Sequence, residues 1–155
     1  MKILPFEKYT IESTKSPESI GEIIDKNCES WKFPLFRQSN PMPLFGGRKG
    51  NNFKLYRYIQ YRNSFLPIAF GKISNNQGGT VIEISLRMHW FVFVFMFFWL
   101  FFVSVAFFAF LFSPNHIAVL VPFGMFIVGY SLMYFCFWLE IPKLKNLISK
   151  MLENG

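Results

Sequence analysis

Acidic residues are scarce in most of this chain. Of its 9 Asp and Glu, only Glu83, Glu140 and Glu153 lie beyond residue 32. Between Trp90 and Leu139 there is no charged residue of either sign. Cysteines number 2, Cys28 and Cys136, and they are too differently placed to suggest a disulfide framework, which points to a reducing compartment. The 2 histidines, His89 and His116, stand at opposite ends of the first apolar run, and neither an HExxH nor a CxxC motif occurs. Gly46-Gly47-Arg48-Lys49-Gly50 lacks the Gly-Lys-Ser/Thr end of a phosphate loop and a helix after it, so it reads as a turn. These absences argue against an enzyme, a metal centre or a resident cofactor. Met1–Phe6 is cut short by Glu7 and Lys8 before any apolar stretch, so no cleaved leader is expected.

What the chain has in quantity is uninterrupted apolar sequence. Residues 90–112 and 117–139 form two charge-free runs of 23 residues each, joined by the polar hinge Ser113-Pro114-Asn115-His116. About 20 apolar residues suffice to cross a ~30 Å hydrocarbon core as a helix. In lipid only a helix satisfies a lone segment's backbone hydrogen bonds. A two-helix transmembrane hairpin with a tight hinge is therefore expected. Trp90 and Trp138 fall where interfacial aromatics belong, and the first run carries 11 Phe and 2 Trp. Basic residues border the hairpin at Arg87, Lys143 and Lys145, while the hinge has no Lys or Arg. The positive-inside rule then puts both termini in the cytoplasm.

Residues 1–89 read as a cytoplasmic α+β domain. Polar and apolar residues alternate over 6–14, as in a short strand. Ser16-Pro17-Glu18 has the order of a helix start: cap, proline at the first position, acid in the first turn. Ile20, Ile23, Ile24, Cys28 and Trp31 continue as one apolar stripe. After a Pro/Gly/Asn-rich stretch, with a short strand near Leu44–Arg48, three strands are expected at 53–61, 65–73 and 80–88. The fold class is a small antiparallel meander with one packed helix, then the hairpin at 90–139 and a basic amphipathic tail helix at 140–155. That tail either lies on the leaflet or packs against the domain. Arg87-Met88-His89-Trp90 joins sheet to membrane helix without Gly or Pro, so the two should move together.

The basic stretch supplies the candidate binding residues. Residues 33–89 hold 8 Lys and Arg against the single acid Glu83. Arg57, Arg62, Arg48 and Lys49 are candidates to hold an anionic ligand, or to seat the domain on anionic lipid. Arg57 shares its strand face with Phe53, Leu55, Ile59 and Tyr61, so it should either snorkel or meet a carboxylate or anion. Glu83 qualifies as that carboxylate only if it reaches the same face. Tyr56, Tyr58 and Tyr61 beside Arg57 and Arg62 make a weak stacking platform, and nucleic acid is not the expected partner. In the second helix Pro122, Gly129 and Cys136 recur every seven residues. That small-residue seam would accept either the first helix, at Ser104, Ala106 and Ala109, or a second protomer.

The segments Tyr61–Pro67, Gly79-Thr80 and Ser85–Phe91 resemble a group of small uncharacterised bacterial membrane proteins that place a soluble domain before a helical hairpin. The resemblance covers roughly residues 53–100 and implies a bacterial inner membrane, with no activity attached. Two functions are expected from this plan. One is a domain that senses a partner or anionic ligand and drives a self-associating hairpin, as a membrane-acting effector in stress or antiphage defence would. The other is a non-catalytic scaffold or accessory subunit anchoring a larger membrane complex.

Overall fold

The computed structural model describes residues 4–28, 42–76, 78–113 and 116–154. Trp31, the Pro/Gly-rich stretch as far as Pro41, Gln77 of the hairpin loop, and Pro114 and Asn115 of the hinge lie outside the described residues.

Five antiparallel strands, β1 (Phe6–Ser13), β2 (Leu44–Lys49), β3 (Asn52–Arg57), β4 (Ile68–Asn76) and β5 (Gly79–Arg87), form one sheet in the order β1-β5-β4-β3-β2. β2 to β5 are a meander, and β1 closes the sheet beside β5. The β2–β3 turn is two residues long, and Gly50 at its first position has φ 60°, a conformation glycine adopts without cost. β3 ends at Arg57, short of the expected Tyr61. The following residues fold instead into a turn in which the Leu66 amide donates to the Asn63 carbonyl at 3.3 Å.

Strand register sorts the side chains by face. Phe53, Leu55, Ala69, Ile73, Ile82, Ile84 and Leu86 are all buried on one side. Each such burial is worth roughly 1.5–3 kcal/mol for a large aliphatic side chain. Two helices cover that side. α1 (Pro17–Asn27) begins where expected, with the Ser16 hydroxyl accepting from the Ser19 amide at 3.2 Å, and buries Ile20, Ile23 and Ile24. The second cover is the tail helix, numbered α4 below. It buries Ile141, Leu144, Ile148, Met151 and Leu152 in the same core. Of its two expected placements, packing on the domain is the one observed. The core therefore runs from the sheet into the membrane-side helices, taking in Met88, Met96, Met133 and Phe137.

α2 (Trp90–Leu111) starts three residues after β5, with His89 Nδ1 accepting from the Phe91 amide at 3.3 Å. A 3₁₀ turn (His116–Val119) leads into α3 (Leu120–Trp138), which packs antiparallel on α2. Both long helices are long and apolar enough to cross a membrane, and only 11% of each apolar window is buried within the molecule. Such exposure is uncommon in water, where core helices are covered and contiguous apolar patches seldom exceed a few hundred Å². α4 (Ile141–Asn154) follows after Leu139 and Glu140. Pro142 explains the break. It has no N–H to donate, and its ring excludes a helical carbonyl four residues earlier, but it is well suited to the first turn of a new helix.

Candidate functional site

Arg57 is the last residue of β3 and projects from the covered face, in line with Phe53 and Leu55. Its guanidinium reaches Glu140, the residue at the α3–α4 break, in an ion pair whose side chains are 16% and 5% exposed. Tyr61 donates its hydroxyl to Glu140 Oε1 at 2.5 Å, and Lys143 Nζ lies 2.9 Å from the same oxygen. Arg57 also donates to the Tyr61 hydroxyl at 2.6 Å. Glu140 thus ties the third strand, the loop after it and the first turn of α4 to the end of α3. Its position before α4 also sets a negative charge at a helix N-terminus, where it is favoured. Burial alone would raise its carboxyl pKa. The hydrogen bonds from Tyr61 and Lys143, with the charges of Arg57 and Lys143, outweigh burial and hold it below the ordinary value. Tyr61 is pushed up, first by burial and then by its bond to Glu140.

The carboxylate for Arg57 is therefore Glu140 and not Glu83, which register places on the opposite, uncovered face. Nothing local in the sequence pairs positions 57 and 140. The available signal was a lone acid between a 23-residue apolar run and a proline. A second tie lies beside the first, where the Asn63 side-chain amide donates to the Cys136 carbonyl at 3.2 Å.

The remaining basic candidates do not converge on Arg57. Arg48 sits at the other end of the β2–β3 hairpin, opposite Phe53, and its Nη2 pairs with Asp25 of α1 at 2.7 Å. Its guanidinium lies against Gly21, where a Cβ would fall 2.5 Å from Nη1. Lys49 is exposed at the end of β2, and Arg62 is exposed in the loop after β3. Among the described residues, Arg48 and Arg57 stand at opposite ends of the β2–β3 hairpin.

The uncovered sheet face has a pattern of its own. Lys8, Lys54, Lys72 and Arg87 point outward on adjacent strands, with Glu12 and Glu83 the acids on this face. Phe70 lies at its centre, with Arg87 4.2 Å and Lys54 5.2 Å from its ring centroid. A shallow depression of about 540 Å³ opens here, lined by Lys8, Thr10, Asn52, Phe70, Lys72 and Glu83 among others. Cations stacked on an aromatic ring keep their charge while covering its apolar face.

In the hairpin, Pro122 is buried, and a Cβ on Gly129 would meet Trp99 Nε1 at 3.1 Å and Leu100 Cδ2 at 3.9 Å. At Gly129 the seam is occupied within the chain, by Trp99 and Leu100, a large ring filling the space a glycine leaves. Nearer the hinge Ser104 shares a depression with Phe107 and Phe108 of its own helix and Phe123 and Phe126 of α3. Ser104 donates to the Leu100 carbonyl at 2.7 Å on its own helix, and Cys136 is half-buried. Among the described residues no group of three His, Cys, Asp or Glu is placed to hold a metal ion. No protein-family model matches the chain, and no curated protein or solved structure matches it either.

Proposed function

We propose that the chain is a bacterial inner-membrane protein that crosses the bilayer twice, keeps both termini in the cytoplasm, and serves as a non-catalytic, membrane-anchored binding module. The observation that carries this reading is the Arg57–Glu140 pair. It commits the covered face of the sheet, and the strongest of the basic candidates, to holding domain and hairpin together. The uncovered basic–aromatic face around Phe70 is left to meet a partner, which its charge balance requires to be anionic. With α4 in the same core, the module presents that face at a set height above the bilayer. This is the behaviour of a scaffold or accessory subunit. A self-associating effector would need the Gly129 seam, which Trp99 already fills.

The test is site-specific photocrosslinking in the producing bacterium, with the probe at position 72 on the outer face or at position 55 in the core. A discrete adduct from position 72 that is lost in Lys54→Glu/Lys8→Glu supports the reading. No adduct from the outer face, or one indifferent to charge reversal, overturns it. Membrane insertion is checked separately: alkaline carbonate should leave the protein in the pellet.

A further inference from the structure

The sheet domain carries opposite charge on its two broad sides. On the uncovered face, register sets Lys49, Asn52 and Lys72 in one row across β2, β3 and β4. Lys54, Phe70, Ser85 and Lys8 form the next row, and Arg87 stands 4.2 Å from the Phe70 ring centroid. Those cations, Lys8, Lys49, Lys54, Lys72 and Arg87, outnumber the acids of the face, Glu12 and Glu83. None of the cations forms an ion pair among the described residues.

The other side of the domain is acidic. α1 lies on the covered face and turns Ile20, Ile23 and Ile24 to the core. Glu18, Glu22 and Asp25 recur at i, i+4 and i+7, the spacing that keeps side chains on one helix face, and all three are exposed. Asp25 is engaged by Arg48, whereas Glu18 and Glu22 have no ion pair or hydrogen bond among the described residues. One turn separates Glu18 from Glu22, ~5–6 Å. Lys54 and Lys72 are diagonal neighbours on adjacent strands, ~7–8 Å apart, so two acids and two lysines match in spacing as well as in charge.

We infer that the anionic partner of the uncovered sheet face is α1 of a second copy of this chain, so that the domains dock head to tail in the plane of the bilayer. The inference rests on the binding-module reading proposed above and names the occupant of that module's face. Hairpins inserted with one polarity hold every copy upright at one height. A sideways translation then brings the Glu18–Glu22 side of one domain against Lys54 and Lys72 of the next. A two-fold contact through either broad side would instead set cation on cation or acid on acid, so charge selects the head-to-tail arrangement. The contact asks nothing of the Gly129 seam. Confinement in the membrane raises the effective concentration of one copy beside another, which lets a modest charged contact suffice.

Photocrosslinking between two differently tagged full-length copies, in proteoliposomes holding no other protein, tests the contact. The probe replaces Thr10, which is exposed on the basic face. Wild-type copies should give an adduct carrying both tags. Its yield should fall about tenfold when the probe copy carries Lys54→Glu/Lys72→Glu, because like charges then face each other. Glu18→Lys/Glu22→Lys in the other copy should have the same effect. Combining the two reversed copies should restore the adduct, a recovery that misfolded variants would not give. A wild type without the two-tag adduct overturns the inference, as does an adduct indifferent to either reversal or one that the reversed pair fails to recover. In the producing bacterium, a charge-sensitive adduct from position 72 that holds another protein and no second copy keeps the binding-module reading and overturns the self-docking. Absence of any charge-sensitive adduct there removes the reading itself, so the two failures are distinguishable.

Discussion

Glu140 has one charge and three partners: it accepts from Tyr61 and pairs with Arg57 and Lys143, all at the residue that precedes α4. Removing one member of a buried pair leaves the other desolvated and uncompensated, which costs about 3–5 kcal/mol. Glu140→Ala should therefore destabilise the detergent-solubilised protein by that order, whereas Arg57→Met/Glu140→Leu should recover much of the loss. Thermal unfolding of the three proteins checks this. The depressed carboxyl pKa gives a pH signature. Its stabilisation is complete above the ordinary Glu value of ~4.3 and is lost as pH falls through the lower native value. Wild type should thus lose stability more steeply than Glu140→Gln as pH drops through and below that ordinary value. Cys28 offers a second local test. Burial, then the charge of Asp25, pushes its thiol up to about 12, so it is protonated and covered at neutral pH. Maleimide should label it only after the domain unfolds.

The elements meet through surfaces whose tolerance differs sharply from site to site. A Cβ on Gly71 of β4 would fall 1.9 Å from the Phe53 ring, and Phe53 is itself buried. Gly71→Ala should cost about 1–3 kcal/mol by overpacking, read as a lowered midpoint in denaturant. In the hairpin, Gly129→Leu drives a side chain at Trp99 and should separate α2 from α3, while at Gly124 a Cβ has nothing within 4 Å, and Gly124→Ala should be neutral. Cysteine crosslinking between the two helices distinguishes the outcomes. α4 is held to β1 by Lys145 on Glu7 at 2.6 Å, and to the β1–α1 connection by Lys15 on the Leu152 carbonyl at 3.0 Å. Its larger contribution is apolar: Leu144 and Ile148 are fully buried. Ile148→Asp should expose the sheet domain to protease, and Lys150→Glu should not.

Across the whole molecule, sheet and hairpin share one core. Met88, Met96, Met133 and Phe137 continue the sheet interior into the first turns of α2 and the last turns of α3. Three connections reinforce that continuity: the direct β5–α2 passage, the Arg57–Glu140 pair and the Asn63–Cys136 bond. Displacement of the domain should therefore be felt in the hairpin. Hydrogen exchange in Glu140→Ala is expected to rise in both α4 and the last turns of α3 next to the sheet domain, rather than in α4 alone. With a net charge of +7, the anionic partner proposed for the outer face should be released by added salt, because exposed charges are screened over ~10 Å at 0.1 M.

Local pattern determined the elements. Strand alternation, the Ser16-Pro17 start of α1, the two charge-free runs and the helix break at Pro142 depend on residues close together in sequence. The α+β plan with its helical pair was therefore legible before any coordinates. Which face of a strand a residue occupies follows from period two, so Arg57 among apolar neighbours was visible as an anomaly. Its partner was not, because the pair closes a separation of 83 residues that no periodicity encodes. For the same reason the tail helix could be recognised as amphipathic while the surface it covers could not. An apolar stripe says only that something must bury it, and leaflet and sheet satisfy that demand equally well on paper. Tertiary structure decided in favour of the sheet, turned Gly129 inward onto Trp99, and left the basic face around Phe70 uncovered among the described residues, because which surfaces meet depends on contacts between residues far apart in the chain.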